Sequence, residues 1–259
     1  MLDRERFKSA TARAISDSPD LFSGIGTLSE KVMHRAIKLY IEPDVTRHEI
    51  ELSGSVADIY NGEGIFEIQR RAFSYLAPKL KKFLPEYPVT VVHPIVARKR
   101  VRWLDKESGE IVSTKRSIKG KTVYDSAYEL YQLREFIGRA GFRVRILMLE
   151  CDEYRALDGY GADRKKRATA LECIPTDILD EIELLSASDY GIFLPEGLSR
   201  EFSSRDFLRL SKSRSRYSYY SLRLLCELGL LSRRKVGRAF IYRKEDWVLG
   251  RFSENENGS

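Results

Sequence analysis

Cysteine and histidine are both scarce: three of each in 259 residues. Cys151, Cys173 and Cys226 lack the close pairing that a structural zinc site needs, and they are too few for a disulfide framework. Unpaired thiols at this density fit a reducing cytoplasm. No secretory leader opens the chain and no apolar stretch approaches membrane-spanning length, so cytoplasmic localisation with no membrane partner is expected. A glycine-rich phosphate loop is missing as well, since Gly24-Ile-Gly26 is too short to form one. Of the histidines, His48 and His93 read as strand-entry and core residues. His34 shares a helical face with Glu30, four residues before it. Read blandly, it is a partly exposed polar residue; read functionally, it reaches the acids described next.

What the chain does have is a run of alternating polar and apolar residues from His48 to Gln69. Turn chemistry breaks it twice, at Ser53-Gly54 and at Asn61-Gly62-Glu63-Gly64. This predicts a three-strand antiparallel meander. A two-residue turn at Ser53-Gly54 sets Glu49 opposite Asp58. A four-residue loop at 61–64 sets Asp58 opposite Glu67. Glu49, Asp58 and Glu67 then form a row on one face, with Gln69 two residues further along. Ile50, Leu52, Ala57, Ile59, Phe66 and Ile68 form the core face. A two-residue turn at Asn61-Gly62 would leave Asp58 diagonal to Glu67, and a three-residue bulged loop would part them, because a one-residue slip exchanges the faces. Like charges opposite one another destabilise a sheet, so the row points to a cation. A half-solvated meander with acids on its outer face remains the plain alternative.

Leu28 to Ile41 has helical periodicity and ends before Pro43. Arg70 to Phe83 reads as a second helix, in which Pro78 would introduce a kink. Val89 to Val96 is a nearly continuous apolar run, as in a strand buried on both faces. The order of helix, three meander strands, helix and buried strand resembles the PD-(D/E)XK nuclease superfamily. The resemblance covers residues 25 to 96 and implies a restriction-endonuclease-like α/β fold. It makes Asp58, Glu67 and Gln69 the catalytic set and Glu49, Asp58, Glu67 and Glu30 the ligands of Mg²⁺ or Mn²⁺. Gln69 stands where the family usually has lysine, so it can orient a water by hydrogen bonding but supplies no charge.

Beyond the buried strand, residues 98–121 read as an inserted basic hairpin, with Arg98 and Arg100 available for a phosphate backbone or, alternatively, for a solvated edge. Val123 to Gly138 reads as an amphipathic helix and Phe142 to Glu150 as a strand. The polar stretch from Tyr154 to Arg167 reads as a mobile connection, and residues 169–185 carry no clear signal.

Ser203, with Asp206 three residues later, reads as a capping box opening a helix to Leu210. A second helix follows over Arg216 to Leu228, stopped by Gly229. A hairpin with a basic tip at Gly237-Arg238 comes next, and a short helix over Ala187 to Leu194 precedes the series. This order resembles a winged helix-turn-helix, which implies DNA contacts from Arg214, Arg216, Arg223 and Arg238. Residues 200–251 hold 14 Lys and Arg against 5 Asp and Glu, net +9, whereas the whole chain is +7. The excess positive charge is concentrated there, as nucleic-acid binding requires.

The expected organisation is a nuclease-like domain over 1–185, a winged helix-turn-helix over 186–252 and a disordered tail over 253–259. The expected function is Mg²⁺-dependent DNA endonuclease, with DNA as partner and a homodimer left open. The rival is a non-catalytic DNA-binding regulator that carries a degenerate nuclease-like domain.

Overall fold

The computed structural model describes residues 2–18, 32–105, 107–117, 120–159 and 168–246. Glu30, the start of the expected helix at 28–31, Gly24 and Gly26, most of the stretch to Arg167 and the 253–259 tail lie outside them. In chain order the elements are α1 (Arg4–Ser16), α2 (Val32–Ile41), β1 (His48–Leu52), β2 (Ser55–Asn61), β3 (Gly64–Ile68), α3 (Ala77–Phe83), β4 (Val89–Asp105), β5 (Ile111–Arg116), α4 (Ala127–Gln132), β6 (Phe142–Leu157), β7 (Thr169–Leu184), β8 (Glu201–Ser203), α5 (Ser204–Ser211), α6 (Ser215–Glu227), β9 (Leu231–Val236) and β10 (Ala239–Lys244). The chain is mixed α/β, with a large sheet flanked by helices. Among the described residues no helix is long and apolar enough to cross a membrane.

Two compact units divide the chain. One takes Met1–Ile68, Pro94–Lys121 and Ile146–Ile182, and the other takes Gln69–His93, Thr122–Arg145 and Glu183–Ser259. The chain passes into the second unit for the last time at 182/183, close to the boundary expected at 185. Two earlier segments, however, belong with the C-terminal part.

Most of the seven-stranded sheet falls in the first unit; its order is β1-β2-β3-β4-β6-β7 with β5 paired to β4. Its meander forms as the sequence predicts. Ser53 (φ 46°) and Gly54 (φ 67°) both take the left-handed conformation that a two-residue hairpin turn demands. His48 therefore lies opposite Ile59 and Leu52 opposite Ser55. In the second hairpin Ile59 faces Phe66 and Asn61 faces Gly64. That is the register expected from a four-residue loop, but pairing continues to Asn61 and Gly64 and leaves only Gly62 and Glu63 in the turn. Ala57, Ile59, Phe66 and Ile68 are buried on the core face. All five residues of β3 are buried, so its other face is covered too, and α2 packs on this strand. The ring of Phe7 in α1 meets that of Tyr40 in α2 edge-on at 5.3 Å.

The buried run at 89–96 is the first part of a strand that continues into the basic hairpin. β4 pairs with β5 from Arg100 opposite Arg116 to Leu104 opposite Ile111, with a register shift at Trp103/Leu104. Facing arginines repel, and Glu150 of β6 lies 3.8 Å from Arg100 and 4.0 Å from Arg116. β6 runs on to Leu157, past the end expected at Glu150. The stretch at 169–185 that carried no clear signal is the edge strand β7.

In the second unit, the helix expected over 70–83 is instead a 3-10 turn, Phe73–Leu76, followed by α3. Ala72 adopts φ 59°, which a continuous helix cannot contain. Pro78 lies in the first turn of α3, where its missing N–H has no helical partner to lose, so it starts a helix rather than kinking one. The helix expected over 123–138 likewise begins as a 3-10 turn, Val123–Ser126, boxed by Thr122 and Asp125, and α4 ends at Gln132. Toward the C-terminus, a 3-10 turn spans Ala187–Phe193. The Ser203/Asp206 capping box opens α5 as predicted. The three-stranded sheet runs β8-β10-β9, and Val236 pairs with Ala239 across the tip at Gly237-Arg238. Phe73, Phe83, Phe136, Phe193, Phe207 and Leu225 are buried in this unit.

Candidate functional site

The acid row predicted for the meander forms where β2 and β3 meet. Extending the observed register by one pair sets Asp58 opposite Glu67. The side chains confirm the proximity: the Asp58 N–H points at Glu67 Oε1, 3.4 Å away, and the Ile68 N–H donates to Asp58 Oδ2 at 2.7 Å. Glu67 is 2% exposed. Asp58 retains 17% of its side-chain exposure, so this seam is narrow but open to solvent at the aspartate.

Helix α2 supplies two partners for the row, an imidazole and an ammonium. His34 Nε2 lies 3.2 Å from Asp58 Oδ2, and Lys38, four residues further along, pairs with Glu49. The i, i+4 spacing places both on one face of the helix, so α2 lies along the acid row. Glu49 takes φ 54° and is engaged by a protein ammonium. Glu30 lies outside the described residues. Of the four expected metal ligands, the structure brings together Asp58 and Glu67. Among the described residues no group of three or more His, Cys, Asp or Glu side chains is arranged to hold a metal ion.

Gln69, the first residue of the second unit, donates from Nε2 to the Arg71 carbonyl at 2.6 Å. Its own carbonyl meets His93 Nδ1 at 2.9 Å. His93 is 4% exposed, which fits the structural role expected for it. His48 Nε2 likewise meets a backbone oxygen, that of Glu42, at 2.8 Å.

The cationic residues fall into different settings. Arg98 is exposed. Arg100 Nε instead donates to Asp152 Oδ1 at 2.8 Å, and Arg102 Nε donates to Asp152 Oδ2 at 2.7 Å. Asp152 is 4% exposed, so both guanidiniums serve a buried carboxylate. Arg238 is exposed at the tip of the β9–β10 hairpin, and Arg214 is the N-cap residue of α6. The guanidinium of Arg216 lies over the Tyr128 ring at 4.1 Å, and that of Arg223 over the Tyr131 ring at 4.6 Å.

Sequence reasoning gave no weight to Lys38 and Asp152. Lys38 was legible only as one lysine on an apolar helix stripe, and Asp152 as one acid beyond an expected strand end.

The chain is a mixed α/β protein built on a large sheet flanked by helices. The family model for a domain of unknown function (DUF8091) matches residues 31–185, more than half of the sequence, and the chain belongs to that family. The match spans α2 through β7, with Asp58, Glu67 and Asp152, and leaves α5, α6 and the C-terminal hairpin outside. An uncharacterized protein of Treponema pallidum (strain Nichols) is 27% identical over 223 residues, which is 85% of this chain and 88% of its own length. No solved structure matches.

Proposed function

We propose that this protein is a metal-dependent DNA endonuclease of the PD-(D/E)XK type, with Asp58 and Glu67 holding Mg²⁺ or Mn²⁺. The observation that carries the reading is the Asp58–Glu67 seam, with the Asp58 N–H 3.4 Å from Glu67 Oε1. Two carboxylates are enough in principle, because Mg²⁺ is commonly held by one or two of them together with waters and substrate phosphates. When bound, the cation supplies positive charge to the scissile phosphate and lowers the pKa of its water. His34 orients the Asp58 carboxylate. The family resemblance gives Gln69 the water-orienting role. The series from the 3-10 turn Ala187–Phe193 through β8, α5, α6 and the β9–β10 hairpin has the element order of a winged helix-turn-helix and would hold the DNA, with Arg214 and Arg238 toward phosphates.

Two observations favour the rival, a DNA-binding regulator without catalysis. Lys38 already compensates Glu49, and the Gln69 amide is engaged by the Arg71 carbonyl. Cleavage assays on single-stranded, duplex and branched DNA with Mg²⁺ or Mn²⁺ decide between them. The endonuclease reading expects cleavage by the wild type and none by Asp58→Asn or Glu67→Gln, with DNA affinity retained. A wild type inert on every substrate hands the function to the regulator. Activity restored in that inert protein by Gln69→Lys would mark a degenerate nuclease scaffold.

A further inference from the structure

Arg216, Tyr220 and Arg223 lie four and three residues apart on α6, so they occupy one face of the helix. That face is turned toward α4. Tyr220 meets Tyr128 edge-on at 4.7 Å and Tyr131 at 5.5 Å. Arg216 lies over Tyr128 and Arg223 over Tyr131. Arg134 also stands over the Tyr131 ring, 4.4 Å from its centroid. A B-DNA major groove is about 12 Å wide, and a single helix with side chains already measures about 10–12 Å across. The arginine face of α6, with α4 against it, does not fit such a groove.

The layer of guanidiniums and phenol rings suits a different form of nucleic acid. Tyr219, beside Tyr220 at 5.3 Å, is 52% exposed. Arg216 and Arg134 are exposed at the edges of the layer. An accessible ring flanked by fixed cations is how proteins hold unpaired strands: bases stack on aromatic rings while Lys and Arg meet the phosphates. Charge agrees, since residues 200–251 carry net +9.

We propose that the α4–α6 face binds single-stranded DNA, with a base stacked on Tyr219 and the flanking phosphates met by Arg216 and Arg134. This rests on DNA being the ligand, as proposed above, and narrows it to unpaired strands. The test is fluorescence anisotropy of the full chain with labelled oligo(dT) and with a duplex of equal length, at several salt concentrations. The wild type should prefer oligo(dT). Tyr219→Ala should weaken oligo(dT) binding roughly 5- to 150-fold and leave duplex binding unchanged, while Tyr219→Phe keeps the affinity because the ring and not the hydroxyl stacks. Tyr219→Leu repeats the test with the apolar bulk retained, should the alanine variant fail to fold. Arg216→Ala should lower the slope of log affinity against log salt by about 0.7, the value for one phosphate on a single strand. Duplex binding as tight as oligo(dT) binding, with the Tyr219 variants unaffected, would overturn the stacking surface and leave the DNA reading standing. Binding of neither oligonucleotide by the wild type would overturn both.

Discussion

The ion pair between Lys38 and Glu49 joins a buried cation to an exposed anion, with side-chain exposures of 2% and 59%. The asymmetry predicts unequal mutational costs. Glu49→Ala removes one partner of an almost fully buried ammonium, and loss of a partner costs a buried polar group about 1–3 kcal/mol, more when the group is charged. Lys38→Met removes the buried charge itself and keeps most of the side-chain volume, while the glutamate turns to solvent, so its cost should be smaller. Urea unfolding of both variants checks the order. A Glu49→Ala variant as stable as wild type would mean that the pair contributes nothing.

The Asp58 carboxylate has a structural duty that separates two substitutions often treated as equivalent. Its Oδ2 accepts the Ile68 N–H at 2.7 Å. Asp58→Asn keeps an acceptor and should melt close to wild type. Asp58→Ala leaves a strand N–H without that partner and should cost about 1–3 kcal/mol. Thermal melts of the two, run beside the cleavage assay, distinguish loss of chemistry from loss of fold.

The meander was legible because its information is local. Alternation fixes the faces and Ser53-Gly54 fixes the first turn, so the first register followed from the sequence, while the second was one of the alternatives it offered, the one that keeps Ile59 and Phe66 on the core face. The capping box at Ser203 and the hairpin tip at Gly237-Arg238 were legible for the same reason. β7 was not. It is an edge strand in which Glu172, Asp177, Asp180, Glu181 and Glu183 break the apolar alternation, and it contains Pro175, which edge strands tolerate. Two of these acids have partners distant in sequence: Glu181 accepts from the Tyr40 hydroxyl at 3.1 Å and Glu183 from Arg145 at 2.7 Å. The same limit hid the compensation of the acid row. His34 was legible as a residue that could reach the acids, but Lys38 meets Glu49 only once α2 is laid on the meander, and no spacing rule in the sequence states that packing.

Within the basic hairpin, Arg98 and Arg100 should behave differently. Arg100 holds Asp152 together with Arg102. Arg100→Ala should therefore destabilise the fold by about 1–3 kcal/mol through the buried carboxylate. Arg98 is exposed, and Arg98→Ala should stay within about 0.5 kcal/mol of wild type. If the hairpin contacts DNA, Arg98→Ala lowers the salt slope of binding. Chemical denaturation and salt titration of both variants separate the two roles.

Glu153 predicts an acid limb in the stability profile. Burial alone would raise its pKa, but hydrogen bonds from Lys99 and Arg155 outweigh that and hold it below its ordinary value of 4.5. A carboxylate depressed in the folded state stabilises at pH above its unfolded pKa, and the contribution disappears as pH falls through the folded value. Melting temperature should therefore drop on the acid side of about pH 4.5, and Glu153→Gln should flatten that drop while lowering stability at neutral pH. Melts of both proteins from neutral to acid pH test the sign. Parallel profiles would remove Glu153 as a contributor.

Truncation after Leu185 tests how the second unit is built. Its core draws on residues 69–93, 122–145 and 183–246, so the cut takes away one part of a shared interior. The Tyr124 ring would lose Phe193 at 6.3 Å and Phe207 at 6.1 Å, and Tyr128 would lose Tyr220. Deleting one buried aromatic side chain costs about 3–5 kcal/mol, and several such losses match the whole stability of a typical domain, about 5–15 kcal/mol. The truncated chain should bind a dye for exposed apolar surface, with residues 69–93 and 122–145 exchanging amide hydrogens rapidly while the segments of the first unit stay protected. A single cooperative transition with those segments still protected would show instead that residues 1–185 fold without the C-terminal elements.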